Sequence, residues 1–78
     1  MINHAWYYHD AAAGRYHAIE RHAAGAARHY RVRFNLDPAT GDSRTFTGPL
    51  SSKAAAATIL EHLAPAAVEL PGLPAWLR

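Results

Sequence analysis

The sequence predicts an α+β domain: a four-stranded antiparallel sheet of two β-hairpins packed against one C-terminal α-helix. Three observations carry that expectation. Aromatic and β-branched residues flank two turn-like segments, Asp10-Ala11-Ala12-Ala13-Gly14 and Asp37-Pro38-Ala39-Thr40-Gly41. These segments echo one another 27 positions apart, matching Asp10 with Asp37, Ala12 with Ala39 and Gly14 with Gly41. Past Gly48-Pro49 the spacing of apolar residues changes to that of a helix. The chain of 78 residues has surface enough to bury one core, so residues 1–78 are read as a single domain.

The first strand spans about 4–9 and ends at Asp10, whose carboxylate can bond its own backbone at the start of a turn. Gly14 supplies the left-handed residue that closes the loop, and the second strand follows over about 15–21. The connection His22-Ala23-Ala24-Gly25-Ala26-Ala27 reads as a loop or one helical turn, and its glycine favours the loop. A third strand over about 28–36 leads through Pro38, which fixes φ for a type I turn, to a fourth over about 43–48. The echo is either a duplication or one turn recipe used twice, and the shared recipe is the simpler account.

Ser51 or Ser52 caps a helix over about 52–64, where Ala56, Ile59, Leu60 and Leu63 form one stripe. Pro65 ends it, or opens a short second turn through Val68 and Leu70. The tail, residues 65–78, is interrupted by Pro71, Gly72 and Pro74 but remains apolar. It either folds back over the core or completes an interface with another chain, with Leu73, Trp76 and Leu77 as the contacts of a homodimer.

Strand three alternates most cleanly. Tyr30, Val32, Phe34 and Leu36 are expected under the helix, and His29, Arg31, Arg33 and Asn35 toward solvent. Pairing Val32 with Phe46 and copying that register onto the first hairpin places Ala5, Tyr7 and Ile19 inward, leaving Trp6, Tyr8 and Tyr16 outward. A slip of one residue reverses this arrangement and buries Trp6 and Tyr8. The candidate partner-binding surface is therefore a basic, aromatic sheet face of Arg31, Arg33, Trp6, Tyr8, Tyr16, Arg44 and His29. Tryptophan, tyrosine and arginine are the residues that dominate protein hot spots and stack on bases.

Charge supports that location. Residues 1–50 hold six arginines against Asp10, Glu20, Asp37 and Asp42, while the remainder balances Lys53 and Arg78 against Glu61 and Glu69. Seven of the eight cations are arginine, the side chain suited to forked contacts with phosphate or carboxylate. Either an acidic or nucleic-acid partner or a GC-rich coding sequence accounts for this composition. The chain has no cysteine, so disulfides, thiolate metal sites and thiol nucleophiles are excluded. The serines sit at a turn and a helix cap, and the aspartates serve turns, so no catalytic set is expected. Six histidines raise a metal site, but no pair is expected at ligand spacing or in direct cross-strand opposition, so neither metal nor cofactor is assigned. No run of eighteen apolar residues and no signal-like start occur, which predicts a cytoplasmic protein without membrane contact.

Arg31-Val32-Arg33-Phe34, Arg44-Thr45-Phe46-Thr47 and Ser52-Lys53-Ala54-Ala55-Ala56 together resemble the strand-hairpin-strand-helix layout of phage integrase arm-binding domains. That resemblance implies a sheet entering a DNA groove with Arg31, Arg33, Arg44 and Thr45 as reading positions; the additional N-terminal hairpin departs from it. As a whole, the small, cysteine-free and motif-poor α+β chain resembles the phage and mobile-element inhibitors called anti-CRISPR proteins. That resemblance carries no individual residues. It implies a non-enzymatic inhibitor that docks on a nucleic-acid-handling protein complex and blocks nucleic-acid access. Direct DNA or RNA binding by the same face is the alternative, and a subunit dimerising through its tail is a third.

Overall fold

A computed structural model describes residues 2–25 and 27–77; Met1, Ala26 and Arg78, which fall in the expected N-terminal segment, connection and tail, lie outside the described residues. The chain forms β1 (Ile2–Asp10), β2 (Arg15–Ala24), β3 (Ala27–Leu36), β4 (Arg44–Leu50), α1 (Lys53–Leu63) and β5 (Val68–Glu69), then a 3-10 turn at Ala75–Leu77. The sheet has five strands in the order β4-β3-β2-β1-β5, and every neighbour is antiparallel. The expected four-stranded sheet is therefore corrected by one strand. Val68 and Glu69 do not extend a helix beyond Pro65; they pair with His9 and Tyr8 and cover that end of the outer edge of β1.

The two expected tips form where Asp10 and Asp37 stand. The Asp10 carboxylate accepts the Ala13 N–H at 3.1 Å, and that of Asp37 accepts the Ala39 N–H at 2.8 Å. A third hairpin replaces the expected loop at 22–27. Both strands run on to an Ala24–Ala27 pair, and Gly25 takes φ +62°, the sign that tight hairpin turns require and that glycine adopts without steric cost.

Helix α1 begins at Ser52, whose hydroxyl accepts the Ala55 N–H at 3.1 Å, and closes with the Ala64 N–H on the Leu60 carbonyl just before Pro65. It lies over a cross-strand row of Trp6, Ile19, Val32 and Phe46. Ile19 and Val32 are fully enclosed, with Ala56 and Leu60 of the helix above them. Small alanine side chains let the helix approach closely.

Two expectations about faces are corrected by this register. Trp6 and Tyr8 pack under the helix, not on the open face, so Ala5 and Tyr7 are the residues turned away. Leu36 leaves the helix face because the β2–β3 ladder slips. Two steps along β2, from Ala18 to Tyr16, are matched by three along β3, from Arg33 to Leu36. Asn35 absorbs the extra residue at φ +57°, a left-handed conformation that asparagine tolerates, and its N–H donates to Nδ1 of the buried His17 at 3.1 Å.

The tail folds back, but over the face away from the helix. After β5 the Leu70 N–H donates to the Tyr7 carbonyl at 2.7 Å, and Trp76 meets Tyr16 edge-on at 5.3 Å. Pro74, Ala18 and Leu36 are buried outside the cluster beneath the helix. The sheet is thus covered on both faces, by α1 on one and by the tail on part of the other. Leu73 and Leu77, expected as dimer contacts, are 51% and 40% exposed, whereas Trp76 is half-buried against Tyr16. Among the described residues no helix is long and apolar enough to cross a membrane.

Candidate functional site

The face left open by the tail carries a polar cluster centred on Glu20. This carboxylate is only 4% exposed, so its charge must be met by partners. Arg33 Nη1 donates to Oε2 at 3.1 Å, and His22 Nε2 lies 3.2 Å from Oε1. Two further Arg33 donors meet the Ser43 hydroxyl, Nε at 3.1 Å and Nη2 at 2.9 Å. Its guanidinium is therefore a structural clamp between β2, β3 and the segment before β4. It is not the free docking group expected from strand alternation.

Beside this clamp the rings of His22 and His29 stack at 5.2 Å with planes 16° apart, because the two residues are direct partners across the β2–β3 ladder. That opposition corrects the expectation that no histidine pair would meet. Among the described residues no group of three or more histidine, cysteine, aspartate or glutamate side chains is placed to hold a metal ion. Arg31, the cross-strand partner of Glu20, is exposed on the same face.

The expected site residues thus divide. His29 and Arg31 share the open face, with Arg33 bound beside them. Trp6 is inside, with Lys53 Nζ 4.8 Å and the Arg21 guanidinium 5.8 Å from its ring centroid. Tyr8 donates to Glu69 at 2.9 Å, and Glu69 also accepts Lys53 Nζ at 2.9 Å. Burial first, and then that hydrogen bond, hold the Tyr8 phenol well above its usual range, while Lys53 and Tyr8 hold Glu69 below its own. Tyr16 is taken by His9 on one side, 4.4 Å between ring centroids, and by Trp76 on the other. Arg44 stands at the opposite end of the sheet, lining with Arg15, Asp37 and Asp42 an open cleft of about 860 Å³ between the two loops.

Three participants were missed: Glu20, His22 and Arg28. Arg28 is exposed and pairs with Ala23, which puts it on the helix-side face, while Arg31 projects from the other. Flanking strands stop short of this region. The last β1 pair on one side is Ile2–His22, and the last β4 pair on the other is Tyr30–Leu50. Beyond them β2 and β3 continue as a bare two-stranded ribbon with Arg28 near its tip.

His17, on the helix side of β2, sets a pH response. Burial is the main cause that lowers its pKa, so the unfolded chain binds the proton more readily than the folded one. Stability from this residue is complete above about pH 6.5 and is lost as pH falls through the lower, folded value. Protonation also turns Nδ1 from an acceptor into a donor facing the Asn35 N–H. Urea titrations at pH 7.5 and pH 5 should show wild type losing more stability on acidification than His17→Asn, which keeps an acceptor without a titrating ring. Equal losses would remove His17 from the account.

Comparison with protein-family models, curated proteins and solved structures finds no match to this chain.

Proposed function

We propose that this chain is a non-enzymatic binding module whose β2–β3 ribbon docks on the phosphate backbone of a nucleic acid. One observation carries the reading: Arg28, near the ribbon tip, and Arg31, at its base, are exposed on opposite faces of the β2–β3 pair, while at the far end of the sheet Asp10, Asp37 and Asp42 outnumber Arg15 and Arg44. Such a charge gradient orients the molecule toward a polyanion before contact. Arg33 does not contribute, since Glu20 neutralises it.

The test is a salt titration of affinity for wild type and for Arg28→Gln/Arg31→Gln. Each phosphate contact contributes about 0.9 to the slope of log affinity against log salt, so the double variant should lower the slope by about 2. An unchanged slope would sink the assignment of these two arginines.

A different observation favours a protein partner. Leu63, Val68, Leu73 and Leu77 are large apolar side chains left exposed. An inhibitor docking on a nucleic-acid-handling complex, or a second copy of the chain, would use such side chains. That contact would hold at salt concentrations that release phosphate, so the same titration separates the two readings.

A further inference from the structure

We infer that the nucleic acid is B-form duplex DNA, taken by entry of the β2–β3 tip into the major groove with little preference for sequence. The inference rests on the nucleic-acid reading above and narrows it. Past the His22–His29 pair the ribbon continues through Ala23–Arg28 and Ala24–Ala27 to the turn at Gly25. At about 3.4 Å per residue, three residues project about 10 Å, which matches a groove about 8.5 Å deep and wide enough for a two-stranded ribbon.

Side-chain size agrees with that geometry. Among the described residues of the tip, Ala23, Gly25 and Ala27 add at most a methyl group, which keeps the ribbon narrow up to Arg28. Arg28, on the ribbon, and Arg31, at its base where β1 and β4 still flank the pair, leave opposite faces of β2–β3, placed to reach back to the two phosphate walls of one groove. The alanine side chain forms no hydrogen bonds with base edges and offers only a methyl contact of the kind a thymine methyl accepts, so the tip has little means of discriminating among sequences by direct readout.

The other nucleic acids fit less well. Single strands are held by exposed aromatic platforms, and among the described residues the tryptophans, tyrosines and phenylalanines are all at least half-buried. Trp6, Tyr8, Tyr30, Phe34 and Phe46 are committed to the helix-side core, and Tyr16 lies under Trp76. Duplex RNA has a major groove too narrow for a ribbon.

Fluorescence anisotropy at low salt with a labelled DNA duplex, its single strand and the same duplex in RNA tests this directly. The DNA duplex should bind about tenfold more tightly than either alternative. Ala27→Glu, at an exposed position of the tip, should weaken duplex binding about tenfold, while Ala13→Glu, the same change of charge at the far end of the sheet, should leave it within about twofold. Both variants should melt with wild type. Equal affinity for duplex and single strand, or equal damage from the two glutamates, would overturn the groove inference and leave the nucleic-acid reading standing. Absence of binding to all three probes at low salt would overturn both.

Discussion

Ile19→Ala is expected to destabilise the domain by about 2–5 kcal/mol, the range for emptying a fully enclosed aliphatic site. Ile19 has no exposed surface and lies between Trp6 and Val32 in the central row of the sheet, beneath Ala56 and Leu60. Neighbours on three elements would have to move together to refill the space, and a sheet pinned by ladders on both sides moves little. Small domains fall at the low end of the usual total of about 5–15 kcal/mol, so the loss consumes a large share of the stability. Chemical denaturation should show a lower midpoint with an unchanged slope. A cost below about 1 kcal/mol would mean that helix and sheet do not enclose this residue as described.

Arg33→Glu should be the second most damaging change, although strand alternation alone marks Arg33 as an outward, dispensable charge. The substitution removes the cation that faces the buried Glu20 and places a second carboxylate beside it. Breaking a buried pair from one side costs about 3–5 kcal/mol. Because the Arg33 side chain is 32% exposed, solvent screens part of that, and about 2–3 kcal/mol is the expected loss. Arg31→Gln, on the same face, should change stability by less than about 0.5 kcal/mol. Thermal melts of the two variants side by side decide the matter, and similar melting temperatures would refute the clamp.

The contrast shows what could be read from residue order. Turn chemistry at Asp10 and Asp37, the helix after Ser52 and the Val32–Phe46 pairing were all legible, since each rests on local preference or on period two. The first-hairpin register was not. Copying it from the second hairpin assumed equivalent loops, yet residues 11–14 link β1 to β2 whereas 37–43 link β3 to β4, and Asn35 inserts a bulge beside the longer one. One residue of difference is enough to exchange Trp6 and Tyr8 with Ala5 and Tyr7.

The ribbon was hidden for another reason. Alanine carries no strand or turn signature, so Ala23, Ala24, Ala26 and Ala27 around Gly25 looked like a break in the pattern. A tight turn centred at 25–26 would have paired 22 with 29 and 20 with 31, and with them the histidine stack and the Glu20 cluster. The fifth strand had no such signal. Two residues, Val68 and Glu69, become a strand only because β1 offers them an edge.

That edge has a consequence for how the domain assembles. Tyr8 and Glu69 stand 61 positions apart, so the first strand is complete long before the segment that shields its outer side has been synthesised. Until then its free amide and carbonyl groups are available to any other extended chain. The hairpins between sequential strands can form without that segment, so the edge stays open until the C-terminal clasp closes, and that interval is when the nascent protein is most exposed to self-association.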